Sequence, residues 1–239
     1  MSGIHTLLID ADDTLWENNI YYERCSQALV EQLAPLGIAA DDVMRAIRRH
    51  KLEVIPDYGY GPRGYIEALG RSALQLAQEK GLAIGPDFLE RSRSCGAMML
   101  HPPLELLPGV RESLRTLAAS YRLVLVTKGD NELQRRKLER SGLAEHFEGV
   151  YVLEEKDLAA YQRVAADLGT DPGSICMVGN SPKSDINPAI EAGMWAVLIE
   201  HPHTWEAEQE AVVISPRMFR CNSFGELPDC LRSMAQFST

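Results

Sequence analysis

Short apolar runs recur near the start of the chain and again throughout its second half. They lie at residues 4–9, 123–126, 150–153, 175–178 and 195–199. Each run is rich in Leu, Ile and Val and too short for a helix, which is typical of strands that are buried on both faces. These runs therefore predict the strands of a parallel sheet.

Amphipathic segments separate the later runs and predict helices. They lie at residues 110–119, 132–140, 158–168 and 188–192. Gly142, Gly169 and Gly193 follow three of them, and glycine is the residue that commonly ends a helix. Strands that alternate with helices run parallel and are joined by right-handed crossovers. The pattern predicts a three-layer, Rossmann-like α/β core.

The middle of the chain has a different pattern. Between residues 17 and 102 the apolar positions recur at helical spacing, and no run typical of a strand interrupts them. Pro102 and Pro103 cannot continue a helix and end the segment. We predict a core domain formed by residues 1–16 and 103–239, with residues 17–102 inserted into one of its loops as a helical domain.

Composition and charge narrow the possible partners. The formal charge is −10 and the isoelectric point is near 5.1, whereas a nucleic-acid-binding surface needs a basic stripe. No apolar run approaches the roughly 20 residues of a membrane-spanning helix, and Asp10 arrives too early for a signal peptide. The five cysteines are scattered and match neither a zinc spacing nor a disulfide framework. We expect a cytoplasmic protein with no nucleic-acid or membrane partner.

Polar clusters follow four of the predicted strands. They lie at residues 10–15, 127–130, 154–157 and 179–185. The carboxyl ends of parallel strands meet at one edge of a sheet, where reactive groups gather. We therefore expect these clusters to face one small volume.

The side chains in these clusters suit phosphoryl transfer. A carboxylate such as Asp10 can attack phosphorus and form an acyl phosphate, and a second one, Asp12, can protonate the leaving oxygen and then deprotonate water. Carboxylates packed together need a cation to offset their charge, and Mg²⁺ prefers hard oxygen ligands. Thr127 adds a hydroxyl donor, and Lys156 adds a positive charge that can hold the nucleophile and the phosphoryl oxygens.

The order of these residues resembles a known family. Asp10, Asp12 and Thr14, after an apolar strand, resemble the first motif of the haloacid dehalogenase superfamily. Thr127, Lys156 and the segment Gly179-Asn180-x-x-x-x-Asp185 resemble its second, third and fourth motifs. One such motif is weak evidence, and four in order are strong evidence. The helical insert falls where this family carries its first type of cap domain, the C1 type.

The resemblance implies a role for each residue. Asp10 would be the nucleophile and a metal ligand, and Asp12 would be the general acid and base with its backbone carbonyl on the metal. Lys156 would orient Asp10. The phosphoryl group would be bound by Thr127, Lys128, Gly129 and Lys156. The Mg²⁺ ligands would be Asp10, Asp12, Asn180 and Asp185.

The implied activity is that of a phosphatase. An aspartate at position 12 favours phosphoryl chemistry, since the dehalogenases of the superfamily lack it. We predict an Mg²⁺-dependent hydrolase of phosphoric monoesters that acts through an aspartyl phosphate. Its substrate would be a small phosphorylated metabolite such as a nucleotide, a flavin nucleotide or a sugar phosphate.

Three alternative functions share some of these sequence features. A phosphomutase shares the same intermediate. A member that binds a phosphorylated ligand without turnover is favoured by Asn180 alone, because many members have aspartate there. A receiver module is disfavoured, because such modules are about half as long and their phosphoacceptor follows a later strand than that of Asp10.

Several nearby residues have a structural interpretation. Asp13 and Thr14 are expected to hold the turn, with Asp13 capping the segment that follows. His201 and His203 follow the fifth predicted strand and would suit a metal, but a loop and a helix start capped by Thr204 are favoured. In the insert, substrate contact and packing between helices both stay open for Tyr58, Tyr60, Arg63 and Tyr65.

Overall fold

The computed structural model describes residues 3–237. The chain forms two compact units. Unit 1 consists of Met1–Asn19 and Leu104–Thr239, and unit 2 of Ile20–Pro103. Among the residues described, every helix lacks the combination of length and apolar character that crossing a bilayer demands.

The helices of the described residues are numbered in chain order. They are α1 (Asn19–Leu33), α2 (Ala40–Glu53), α3 (Ile55–Tyr58), α4 (Pro62–Glu79), α5 (Pro86–Ser94), α6 (Val110–Ala118), α7 (Asn131–Ser141), α8 (Leu158–Leu168), α9 (Asn187–Glu191) and α10 (Leu227–Phe237). A π-helical turn, Pro182–Ile186, and a short 3₁₀ turn, Glu206–Glu208, also belong to unit 1.

Unit 1 is built on one parallel sheet. Its strands are β1 (Thr6–Ile9), β2 (Arg122–Lys128), β3 (Gly149–Leu153), β4 (Ile175–Gly179), β5 (Trp195–Ile199) and β6 (Met218–Cys221). Their spatial order is β3-β2-β1-β4-β5-β6, and every neighbouring pair is parallel. The five predicted strands are confirmed, and β6 was missed. This four-residue edge strand is half-buried and contains Arg220, so it lacks the apolar run that marks a buried strand.

Both faces of the sheet are buried, as the apolar runs require. Leu7 and Ile9 of β1 belong to a cluster that includes residues of α6 and α10. Leu8 points to the opposite face, where it packs with Tyr161 and Val164 of α8, because successive side chains of a strand alternate between faces. Helices therefore cover the sheet on both sides, and the predicted three-layer α/β fold is confirmed.

The order of strands identifies the edge where a site is expected. The chain leaves β1 towards β2 and β3 and later returns to β4 on the other side of β1. In parallel α/β sheets, ligands bind beyond the carboxyl ends of the strands at such a reversal. Asp10 is the first residue after β1 at this point.

Unit 2 is helical throughout its described regular structure, residues 20–103. Its core is formed by apolar side chains that include Leu29, Leu33, Ile47 and Leu69. Tyr65 is buried there and donates a hydrogen bond from its hydroxyl to the carbonyl of Tyr22 at 2.7 Å. Tyr58, in contrast, is 47% exposed. The two tyrosines therefore have different environments, and packing accounts for Tyr65.

Candidate active site

A buried ion-pair group occupies the end of β1. The Lys156 Nζ donates hydrogen bonds to Asp10 Oδ1 and to Asp185 Oδ1, the latter at 2.7 Å. Asp185 is fully buried, and Asp10 and Lys156 are 6% and 5% exposed. These residues come from positions after β1, β3 and β4. The structure thus brings together three residues that the sequence placed at three different strand ends.

The group carries more negative than positive charge. Burial raises the pKa of Asp10 to about 7. The attraction of Lys156 lowers this pKa, whereas the repulsion of Asp185 raises it further. Burial alone would lower the pKa of Lys156, but the adjacent Asp10 and Asp185 carboxylates outweigh it and raise that pKa. Two carboxylates share one ammonium group, so a cation nearby would be favourable.

The turn after β4 places Asp185. The backbone N–H of Ser181 donates to Asp185 Oδ2 at 2.9 Å, and the π-helical turn brings the carboxylate back towards the strand end. A Cβ atom at Gly179 would lie 2.2 Å from Asp185 Oδ2. Glycine is therefore required at position 179 for this arrangement.

Thr14 and Asn180 adjoin the other side of Asp10. The Thr14 hydroxyl is 3.1 Å from Asp10 Oδ2 and 3.3 Å from Asn180 Oδ1, and its single proton can be donated to either. Asn180 Nδ2 donates to Thr204 Oγ1 at 3.0 Å. That bond turns the amide so that its oxygen faces Thr14. Thr14, expected to serve the turn alone, thus contacts the central carboxylate.

Asp12 has a separate set of partners. Its Oδ1 accepts hydrogen bonds from Trp16 Nε1 and from Lys137 Nζ, both at 2.7 Å, and its Oδ2 accepts one from Gln134 Nε2 at 2.8 Å. Burial by itself would raise the pKa of Asp12, but the charge and hydrogen bond of Lys137, with those donated by Gln134 and Trp16, hold it below its ordinary value. The carboxylate is therefore kept ionised by donors from two elements.

The predicted phosphate-binding segment begins in β2. Thr127, 1% exposed, and Lys128 are the last two residues of that strand. Gly129 follows with φ 126°, a region that favours glycine. Lys128 Nζ donates to Glu208 Oε1 at 2.6 Å and to Ser184 Oγ at 3.0 Å. Lys128 therefore contacts the turn after β4 as well as the loop after β5.

Glu208 connects two loops of the site. Its Oε2 accepts a hydrogen bond from Ser181 Oγ at 2.6 Å, and its Oε1 accepts the one from Lys128. Burial would raise the pKa of Glu208, but the charge of Lys128 and these hydrogen bonds lower it. Glu208 therefore stays ionised and links the loop after β5 to the strand end of Lys128.

The oxygen atoms around Asp10 fit a hard divalent cation. Asp10, Asp185 and the amide oxygen of Asn180 supply ligands of the type that such cations prefer. The uncompensated charge of the two carboxylates beside Lys156 favours a cation there as well. The fourth residue with a predicted metal role is Asp12, for which that role belongs to the backbone carbonyl; its carboxylate has other partners.

Asp13 acts as the predicted cap. Its Oδ1 accepts hydrogen bonds from the backbone N–H groups of Asn18 and Asn19, at 2.8 and 3.0 Å, where α1 begins. His201 Nε2 is 3.4 Å from Glu17 Oε2, and its Nδ1 is 3.9 Å from Asp13 Oδ1. Asp13, Glu17 and His201 therefore form a compact group beside the start of α1.

The loop after β5 differs from its predicted form. We expected Thr204 to cap a helix start, but the short turn begins at Glu206 and Trp205 precedes it without a side-chain cap. The Thr204 hydroxyl instead donates to the His201 carbonyl at 3.1 Å and accepts from Asn180. The reason is that the loop folds back onto the site, so Thr204 finds partners outside its own turn.

Several residues of the site were missed by sequence reasoning. They are Trp16, Gln134, Lys137, Ser181, Ser184 and Glu208. Gln134 and Lys137 carried a usable signal, because polar residues three apart share one face of a helix, here the face towards Asp12. Glu208 carried none, since it lies in an irregular loop.

Comparison with known proteins gives consistent matches. The glyceraldehyde 3-phosphate phosphatase of Methanothermobacter thermautotrophicus is 24% identical over 217 residues, which cover 87% of this chain and 91% of the relative. The phosphoserine phosphatase of Thermus thermophilus is 25% identical over 225 residues, covering 81% of this chain and 88% of the relative. The crystal structure of a haloacid dehalogenase-like family hydrolase from Xanthomonas campestris has a TM-score of 0.83 and 28% identity, covering 100% of this chain and 99% of that chain.

A family model agrees with these matches. It is described as haloacid dehalogenase-like hydrolase and matches residues 4–193. The matched range includes β1 to β4 and the residues Asp10, Lys156 and Asp185. Since this range covers most of its length, the chain belongs to the family of haloacid dehalogenase-like hydrolases.

Proposed function

We propose that the protein is an Mg²⁺-dependent phosphatase that releases phosphate from a small phosphorylated metabolite through an aspartyl phosphate on Asp10. The observation that carries this proposal is the position of Asp10, directly after the central strand β1 and paired with the buried Lys156. The coarser prediction, a hydrolase of phosphoric monoesters, is confirmed by the family and by the phosphatases among the relatives.

The first step transfers the phosphoryl group to the protein. An oxygen of Asp10 attacks phosphorus, so that an acyl-phosphate bond forms while the bond to the ester oxygen breaks. Asp12 is ionised in the free protein, so it takes up a proton from water as the substrate binds and then gives that proton to the leaving oxygen. Lys156, fixed between Asp10 and Asp185, supports the charge that builds up on the phosphoryl oxygens. Thr127 adds a hydroxyl at the end of β2.

The second step releases phosphate. Water attacks phosphorus, and Asp12, now a carboxylate, takes the proton from that water. The bond between phosphorus and Asp10 breaks, which restores the Asp10 carboxylate for the next cycle. Both steps use Asp10 and Asp12, which lie two residues apart after β1.

Asp10, Asp185 and Asn180 would hold the Mg²⁺ ion, together with the Asp12 backbone carbonyl implied by the family resemblance. When bound, the ion supplies positive charge against the phosphoryl oxygens and the crowded carboxylates. Asn180 contributes an oxygen without a charge, so the affinity for Mg²⁺ is expected to be lower than with an aspartate at that position.

The substrate class rests on the names of the relatives and on the sequence. Two relatives are named for glyceraldehyde 3-phosphate and phosphoserine. A test panel therefore contains these two esters, together with nucleotides, flavin nucleotides and sugar phosphates. The acidic charge of the chain does not discriminate among them.

Phosphate release from this panel, with Mg²⁺ or with EDTA, tests the proposal. Asp10→Asn removes the nucleophile, and Asp167→Asn, on the exposed face of α8, is the matched control. We expect metal-dependent release that Asp10→Asn abolishes and Asp167→Asn retains. Acid-quenched protein should carry a phosphoryl group that hydroxylamine removes, as an acyl phosphate requires.

The other outcomes discriminate among the alternatives. Equal release by Asp10→Asn would refute the aspartyl-phosphate mechanism. A phosphorylated protein that converts its substrate into an isomeric phosphate without releasing phosphate would identify a mutase. Neither labelling nor release, with folded protein and a bound phosphorylated ligand, would identify a binding function.

A further inference from the structure

A polar face of α7 is buried against Asp12. Gln134 and Lys137 are each 4% exposed, although α7 is otherwise a strongly polar helix with several exposed arginines. Lysine is almost never buried to this extent without an opposite charge. Asp12 supplies that charge, with its Oδ1 2.7 Å from Lys137 Nζ.

The contacts fix both oxygens of Asp12. Lys137 and Trp16 donate to Oδ1, and Gln134 donates to Oδ2. A carboxylate bound at both oxygens by groups from different elements has little freedom to rotate about its side-chain bonds. Lys137 is fixed in turn, because its Nζ also donates to Asn18 Oδ1 at 2.9 Å.

The side-chain amide of Gln134 shows that this arrangement costs free energy. Its Nε2 donates to Asp12 Oδ2 and to the carbonyl of Lys128, at 2.8 and 3.1 Å. Its Oε1 is buried and has no hydrogen-bond donor among the described residues. Leaving such an atom unpaired costs about 1–3 kcal/mol. The opposite orientation of the amide would place Oε1 against a carboxylate and a carbonyl, so the orientation towards Asp12 is enforced.

We propose that Lys137 and Gln134 are positioning residues that hold the Asp12 carboxylate where it accepts the proton of the attacking water. This inference rests on the proposed function and names residues that the family motifs do not include. Lys137 and Gln134 touch neither phosphorus nor water in this role, and they act through Asp12. Their loss should therefore slow the hydrolysis of the aspartyl phosphate.

Para-nitrophenyl phosphate separates the two half-reactions. Its leaving group needs no proton donor, so formation of the aspartyl phosphate proceeds without help from Asp12, whereas its hydrolysis still requires a base. Lys137→Met keeps most of the side-chain stem and removes the ammonium group, and Gln134→Leu removes the amide donor. Arg136→Met is the control, because Arg136 lies on the same helix with a side chain that is 47% exposed.

In rapid-quench experiments with Mg²⁺, we expect Lys137→Met to release a burst of nitrophenolate equal to the protein concentration. Its steady-state kcat should fall at least tenfold, as positioned bases contribute about 10²–10⁴-fold, while KM stays within about threefold of the wild type. Lys137→Arg, which keeps a cationic donor, should recover part of kcat. Gln134→Leu should release a nitrophenolate burst of smaller amplitude. Arg136→Met should release no burst.

A double-mutant cycle tests whether the effect passes through Asp12. In an Asp12→Asn background, Lys137→Met should change the rate of phosphoenzyme decay less than twofold, because the base that it positions is already absent. An equal loss in both backgrounds would overturn the inference, as would a kcat of Lys137→Met equal to or above that of the wild type. If Lys137→Met does not fold, Gln134→Leu carries the same test.

The two proposals fail in different ways. Wild-type turnover that depends on Asp10, with unchanged kinetics in both Lys137→Met and Gln134→Leu, would refute the positioning role and leave the proposed function intact. Wild-type protein that forms no aspartyl phosphate with any ester would refute both.

Discussion

Asp10 should destabilise the folded protein when no metal is bound, so Asp10→Asn should increase stability above neutral pH. The pKa of Asp10 rises from 3.8 to about 7 because burial outweighs the attraction of Lys156. One pKa unit corresponds to about 1.4 kcal/mol, so ionising Asp10 in the folded chain costs up to about 4 kcal/mol. Asparagine has a similar shape and no charge to bury, which removes this cost.

The dependence on pH has a definite sign. A carboxyl group with a raised pKa in the folded state contributes most to the free energy of unfolding below pH 3.8. This contribution is lost as the pH rises to about 7. The wild type and Asp10→Asn should therefore differ by no more than about 1 kcal/mol in free energy of unfolding near pH 4.5. At pH 8, Asp10→Asn should be more stable by about 2–4 kcal/mol.

Urea unfolding in EDTA, followed by tryptophan fluorescence, measures this difference. All three tryptophans, Trp16, Trp195 and Trp205, lie in unit 1, so the signal reports the unit that contains Asp10. Asp167→Asn serves as the control for an exposed aspartate. Mg²⁺ should stabilise the wild type and affect Asp10→Asn far less, because a ligand of the folded state stabilises it by mass action.

One result would refute this reasoning. If Asp10→Asn at pH 8 in EDTA is less stable than the wild type by about 3–5 kcal/mol, the value typical of a broken buried ion pair, then the Asp10–Lys156 attraction dominates over burial.

Three further substitutions test other parts of the structure. Gly179→Ala should displace Asp185, because the new Cβ would lie 2.2 Å from Asp185 Oδ2; activity should fall at least 100-fold, measured as phosphate release. Leu8→Ala should lower the free energy of unfolding by about 2–5 kcal/mol in urea titrations, because Leu8 is fully buried in the sheet. Glu208→Gln should lower stability by about 1–3 kcal/mol, because it removes the nearer of the two carboxylates that pair with the half-buried Lys128, and adding Lys128→Met should recover part of the loss in the same titration.

Each of these has an outcome that would contradict it. Full activity in Gly179→Ala would mean that Asp185 has room to move without consequence. A loss below about 1 kcal/mol in Leu8→Ala would argue against a tightly packed sheet. Additive losses for Glu208→Gln and Lys128→Met would show that the two side chains stabilise the fold independently.

Local patterns in the sequence were sufficient for much of the fold. The strands that became β1 to β5 are continuous apolar runs, because a parallel sheet covered by helices buries both faces of its strands. The helical character of residues 17–102 likewise follows from the spacing of apolar residues within each segment. β6 was missed because a half-exposed edge strand needs no apolar run.

Part of the candidate site was likewise predictable from the sequence, and part was not. The positions of Asp10, Lys156 and Asp185 at strand ends were readable from the sequence, and the structure brings them together. The second motif was readable too, but the partners of Lys128 were not, because Glu208 lies 80 residues further along the chain in an irregular loop.

The sequence by itself determined the type of sheet, the order of its elements and the edge where the polar residues gather, because these depend on short-range periodicity and on connectivity. The tertiary structure alone decided which charges pair. Lys137 reaches Asp12 across 125 residues, and no local pattern specifies that contact. An ion pair depends on distance and burial in three dimensions, and these are set when the helices pack onto the sheet.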